Sequence, residues 1–143
     1  MGTEMMGRVT VAAKMENAGD LFLVHEGKLR PEQVRTVQVS DALVDTGATN
    51  LSMPGSLIKQ LNLIPLRGRV ARTTAGNVTV RVFGGVRLTV QGRDCTIDVT
   101  EVPENCPVLI GQVALELLDF VVDPKGQQLI GNPAHGGEQM FEL

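Results

Sequence analysis

The chain has 143 residues, 43% of them hydrophobic and 20% charged, with a formal net charge of −3. That is the length of one domain, 1–143, with the balance of a folded protein, and it is too short for two lobes with a cleft between them. The 13 Lys and Arg are scattered, and with no Trp or Tyr and only 4 Phe the chain offers no footprint for nucleic acid, which is excluded as a partner.

The two cysteines, Cys95 and Cys106, are too few for a disulfide framework. His25 and His135 have no Cys or carboxylate at ligand spacing, so no metal site is expected. No stretch approaches the ~18 apolar residues of a membrane span. Residues 1–10 hold no signal-peptide run, and Met6 occupies the place where myristoylation of Gly2 requires Ser or Thr. The expected address is cytoplasmic, with no membrane partner.

The N-terminal part, residues 1–36, reads as strands and an arm. Gly7–Lys14 alternates as a first strand, with Val9, Val11 and Ala13 on one face. Glu16–Asp20 is a turn cluster, and Leu21–Val24 is a short apolar run after it. Val34, Val37 and Val39 lead to a strand, Ala42–Val44, that runs into an acid at Asp45. The sequence Leu43-Val44-Asp45-Thr46-Gly47-Ala48 thus reads as a buried strand that ends abruptly and presents one carboxylate. Gly47 allows a tight turn and close backbone approach. The Thr46 hydroxyl is suited either to brace that turn or to cross to another chain.

Thr49–Met53 alternates again, and Pro54–Leu61 reads as a short helix with Leu57, Ile58 and Leu61 on one face. From Val70 to Val99 the chain is β in character, with turns at Ala75-Gly76-Asn77, Gly84-Gly85 and Gln91–Asp94 making a meander. Val108-Leu109-Ile110 is a fully buried strand that stops at Gly111. Gln112–Leu118 is a second helix, with Val113, Leu117 and Leu118 expected in the core. Phe120–Val122 and Gln128–Ile130 form a hairpin around Asp123-Pro124-Lys125-Gly126, and residues 134–143 are expected to be a flexible tail. A weak internal echo links Leu43-Val44 with Leu109-Ile110: each runs to a glycine-containing turn and then a helix, but only the first carries an acid.

Together these features resemble the retropepsin-like aspartic proteases, the single-lobed family of the retroviral proteases and their bacterial relatives. The resemblance covers roughly Val37–Pro133 and is carried by Leu43–Ala48, by Leu109-Ile110-Gly111 leading into a helix, and by their order around Thr73–Asn77. It implies an all-β, closed, barrel-like fold of mostly antiparallel strands with one or two short helices. It implies a catalytic turn at Asp45, Thr46 and Gly47, with Thr46 bonding across a dimer. The substrate-binding residues it implies are Ala48, Thr49 and Asn50, a flap at Thr74, Ala75, Gly76 and Asn77, and Ile110 with Gly111. No metal or cofactor is implied.

Chemistry independently asks for a second chain. Peptide hydrolysis of this class uses two carboxylates sharing one proton, and only Asp45 stands in the required frame. Asp123 precedes Pro124 as a hairpin-turn residue, and Asp94, Asp98 and Asp119 lack the apolar-to-glycine setting. The expected enzyme is an endopeptidase, a homodimer with two Asp45 carboxylates activating one water. The alternative is a non-catalytic dimerisation or peptide-binding module on the same fold. Retroviral members typically follow the acid turn with further acids and the apolar-Gly motif with Arg; here Thr49-Asn50 and Gln112-Val113 stand there instead, which points to a bacterial-type branch.

Overall fold

Valines at every second position with polar residues between them bury one face of a strand and wet the other, a pattern clearest over residues 82–90. The computed structural model describes residues 8–143; expectations for residues 1–7, including Gly7 at the head of the first strand, lie outside the described residues. Seven strands form one sheet: β1 (Val9–Asn17), β2 (Thr36–Val44), β3 (Leu51–Pro54), β4 (Ile64–Thr73), β5 (Gly76–Val90), β6 (Arg93–Val102) and β7 (Leu109–Ile110). Their order is β1-β2-β7-β3-β6-β5-β4, and β1 pairs also with β5, so the sheet closes on itself with β4 outside the ring. Among the described residues only β2–β7 and β3–β6 are parallel; every other pairing in this sheet is antiparallel. A separate hairpin pairs β8 (Phe120–Asp123) with β9 (Gln128–Gly131).

The all-β, closed, mostly antiparallel expectation holds, but among the described residues the α-helices number three: α1 (Ala18–His25), α2 (Gly55–Leu61) and α3 (Gln112–Leu118). The turn cluster around residues 16–20 turns out to be a helix start. Asn17 is the N-cap, its side-chain oxygen accepting from the Asp20 N–H at 3.0 Å, and its amide donates to the Leu61 carbonyl at 2.7 Å. Residues that favour turns also favour helix caps, so composition alone did not separate the two. Gly84-Gly85 likewise is not a turn. β5 runs straight through it with a register irregularity between Phe83 and Val86, because Gly84 makes room for Leu66, whose Cδ1 lies 2.7 Å from where a Cβ would stand.

The interior is aliphatic with two methionines: Met15, Leu51, Met53, Leu61, Leu88, Ile110, Leu115 and Leu118 are all below 2% exposed. Helix α3 buries Leu118 as expected but otherwise turns a different face inward. Ala114, Leu115 and Leu118 are buried, whereas Val113 and Leu117, one turn apart on another face, are 40% and 49% exposed.

Behind α3 a polar cluster fastens the C-terminal segment that the sequence suggested was a flexible tail. Asp119 accepts hydrogen bonds from His135 Nδ1 at 2.6 Å, Asn132 Nδ2 at 3.1 Å and the Met140 N–H at 3.0 Å. Arg93 donates to the carbonyls of Leu118, Asp119 and Gly137, and its guanidinium stacks 4.5 Å over the Phe120 ring. The His135 bond foremost, then those from Met140 and Asn132, outweigh burial and hold the Asp119 carboxyl below its ordinary 3.8, at about 2.

A folded-state value below the unfolded one means that Asp119 stabilises the fold above pH 3.8 and that this contribution is lost as pH falls toward 2. Asp119 sits at φ +59°, a conformation Asn also tolerates, so Asp119→Asn removes the charge without straining the backbone. The variant is expected to melt below the wild type at pH 7, with the gap closing on acidification through that window; thermal melts at stepped pH measure it.

Candidate active site

The two halves of the sequence echo lie side by side. Strand β2 pairs in parallel with β7, Leu43 opposite Leu109 and Val44 opposite Ile110. The Asp45 N–H still belongs to that ladder, donating to the Ile110 carbonyl at 3.0 Å. Asp45 is therefore anchored through its backbone at the last bonded step, and the chain turns immediately beyond it. The turn closes with the Ala48 N–H on the Asp45 carbonyl at 3.1 Å and the Gly47 N–H on Asp45 Oδ1 at 2.9 Å. Gly47 does not adopt a positive φ. What it provides is room, since a Cβ there would lie 3.2 Å from Asp45 Oδ1.

The far side of the turn is held by helix α3. The first N–H groups of any α-helix have no intrahelical acceptor. Here Gln112 N–H donates to the Ala48 carbonyl at 2.8 Å and Val113 N–H to the Thr49 carbonyl at 3.1 Å, while Gly111 N–H reaches the Asn50 carbonyl at 3.1 Å. Backbone meets backbone so closely that a Cβ on Gly111 would lie 2.6 Å from the Asn50 oxygen and 2.8 Å from the Ala48 oxygen. Ile110 is fully buried beneath the turn. These two residues support the turn from below and do not line the open side.

The open side is a cleft of about 630 Å³. Gly47, Ala48, Thr49 and Asn50 form one wall, Arg69, Ala71, Val78 and Val80 of the β4–β5 hairpin another, and Thr100–Pro103 a third. The hairpin projects because residues 76–81 of β5 pair only with β4; pairing with β6 begins at Val82. At its tip Thr73 Oγ1 donates to the Gly76 carbonyl at 2.6 Å and accepts from the Ala75 N–H at 3.2 Å, and Gly76 takes φ +115°, open chiefly to glycine. Thr74, Ala75, Gly76 and Asn77 thus form the tip, beyond the residues that line the cleft. The sequence reading missed Arg69, Val78 and Val80 as wall residues. Hairpin register puts Arg69 opposite Val80 and Ala71 opposite Val78, and register was the only signal that could have found them.

Asp45 is half-buried, and its Oδ2 has no partner among the described residues. Thr46 is exposed, and its hydroxyl does not brace the turn. Among the described residues no group of three or more His, Cys, Asp or Glu side chains is gathered to hold a metal ion, and both cysteines are free. Burial and the neighbouring Asp94 push the Cys95 thiol up to about 11, which makes it a poor nucleophile.

A family model described as aspartyl protease matches residues 26–131. Among solved structures, the solution structure of the Simian Foamy Virus (mac) protease aligns at 18% identity with a TM-score of 0.48, covering 76% of this chain and 93% of that one. No curated protein matches the chain.

The contact at Gly111 makes a direct test of how the turn is held. The nearest atoms to an added Cβ are backbone, so Gly111→Ala forces helix and turn apart, at a cost of about 1–3 kcal/mol. The expected outcome is a lower unfolding midpoint together with faster hydrogen exchange at the Gln112 and Val113 amides, which lose their acceptors.

Proposed function

The chain belongs to the aspartyl protease family, as its acid turn and apolar-Gly motif imply, and on that premise we propose that it is an endopeptidase active as a homodimer. Each copy contributes one Asp45. The observation that carries the reading is a rigidly held turn presenting a single unpaired carboxylate oxygen beside a cleft roofed by a projecting hairpin. Among the described residues the one carboxylate lining that cleft, Glu101, is already bound to Arg81 at 2.8 Å, so none of them offers a second free acid there.

Two like charges about 3 Å apart repel by about 5 kcal/mol at an effective dielectric near 20, so the paired Asp45 carboxylates hold one proton between them, as is general for this class. The ionised carboxylate takes a proton from a water lying between the two. That water attacks the scissile carbonyl, and the protonated carboxyl donates to the carbonyl oxygen. The Gly47 N–H, bonded to Asp45 Oδ1, keeps each carboxylate oriented. The free Thr46 hydroxyl is available to bond across the two-fold axis and lock the turns together. Ala48, Thr49 and Asn50 on one side and the hairpin on the other hold an extended peptide.

The dimer reading gains support from apolar surface that the chain leaves uncovered. Val113 and Leu117 of α3, and Met140 and Phe141 beyond it, are between 40% and 80% exposed. The tail runs past the helix, Gln139 Nε2 reaching the Leu117 carbonyl at 3.5 Å. An isologous contact would bury such a surface.

Cleavage of an extended-peptide library by wild type and Asp45→Asn, with sedimentation run in parallel, tests the proposal. Loss of cleavage by at least about a hundredfold with the dimer retained is expected, as is a fall in specific activity when wild type is diluted below its dimer dissociation constant. Cleavage that survives the substitution, or that is indifferent to dilution into monomer, sinks the reading. A wild-type dimer that binds peptides without cutting them makes the protein a binding module.

A further inference from the structure

The β4–β5 hairpin gathers Arg67, Arg69, Arg72 and Arg81 onto one projecting element. Two of these are already engaged. Arg67 pairs with Asp98 at 3.5 Å, and Arg81 pairs with Glu101 at 2.8 Å. Arg69 and Arg72 both line the cleft and make no ion pair or side-chain hydrogen bond within the described residues. Arg69 lies directly opposite Val80 in the hairpin register and so projects from the same face as that cleft-lining valine. Glu101, the one acid on the cleft wall among the described residues, is consumed by Arg81. The cleft therefore carries uncompensated positive charge on its roof, within reach of whatever occupies it.

The geometry points to Arg69 as a subsite for a carboxylate side chain, so that the preferred polypeptide carries an Asp or Glu where it passes beneath the hairpin. This rests on the proteolytic reading above and narrows its substrate class. A guanidinium offers a carboxylate two parallel N–H donors, and a cleft that fills with peptide excludes water from around the pair. The free hairpin cations also attract acidic chains at a distance, an attraction that salt screens over about 8 Å at physiological ionic strength.

The test uses a set of extended peptides in which a single Glu is walked along an otherwise neutral sequence, each paired with its Gln counterpart. Cleavage of each pair by wild type, Arg69→Gln, Arg69→Glu and the double variant Arg69→Gln/Arg72→Gln gives kcat/KM ratios. Binding of the same fluorescently labelled peptides to the Asp45→Asn protein, with and without Arg69→Gln, is read by anisotropy. At one register the Glu peptide is expected to be favoured about three- to tenfold, less at high salt. Arg69→Gln brings the ratio near one, and Arg69→Glu reverses it toward a Lys peptide at that register. Equal cleavage of Glu and Gln peptides at every register overturns the subsite while leaving the protease reading intact, and so does a preference that persists in Arg69→Gln. If wild type cuts nothing, binding decides: an Arg69-dependent Glu preference in the Asp45→Asn protein keeps the subsite while the protease reading fails. Equal binding of the two peptides, including none, removes the subsite as well.

Discussion

The short parallel seam between β2 and β7, extended by the hydrogen bonds from helix α3 to the acid turn, is the constraint on which the rest of the site depends. Only two residue pairs make up that ladder. It is continued past its end by donors that would otherwise be orphaned, the Gln112 and Val113 N–H groups, meeting carbonyls in a turn that has no sheet partner. Each side satisfies the other's unpaired polar groups, so separating them leaves both deficient. The apolar layer beneath, with Val44, Ile110, Ala114 and Leu115 at 5% exposure or less, excludes water from the seam. The result is a turn whose backbone is tied down at Asp45, Ala48, Thr49 and Asn50 while Asp45 Oδ2 and the Thr46 hydroxyl are left available.

Against that rigid wall stands a hairpin of the opposite character. Half of β5 belongs to the closed ring and half projects with β4 alone, so one strand links core and cleft. In the ring its residues are buried, as Val86 and Leu88 are; in the projecting part Val78 is 45% exposed. Such a ribbon has few buried contacts of its own and belongs to the low-stability end of the fold. A firm floor and a lightly held roof suit the entry of an extended peptide that the proposed activity requires.

The C-terminal segment is governed by a different device. A nearly buried carboxylate, Asp119, and a guanidinium, Arg93, between them engage residues from 132 to 140. The clamp directs the tail along α3 and leaves Leu117, Met140 and Phe141 together at the surface. The apolar face of α3 that the sequence pattern assigned to the core is thus divided, one stripe inward and one outward, because a seven-residue helix on a ring of strands presents only one side to it.

Much was legible in the linear chain, for physical reasons that are local. Alternating apolar residues at 78–90 and 95–99 read as strands because a pleat sorts side chains by parity. Leu43–Ala48 read as an acid at a strand end because apolar β-formers cannot continue into Asp-Thr-Gly. Leu109-Ile110-Gly111 read as a buried strand meeting a helix for the same reason. What stayed hidden involved partners distant in sequence. Asn17, read as part of a turn, caps a helix and also holds the Leu61 carbonyl, a partner forty-four residues away. Gly84 makes room for Leu66, and Gly111 for the carbonyls of Ala48 and Asn50; neither reason can be read from the neighbours of either glycine. The arginines looked scattered along the chain, and only the register of β4 against β5 and of β5 against β6 showed which were paired and which faced the cleft. By itself the sequence determined the strand pattern, the acid turn and the family, because these follow from residue type and spacing. The packing of Gly111 against the turn, the outward stripe of α3 and the charge of the cleft wall were decided only by the tertiary structure, because each is a relation between residues that the fold alone brings together.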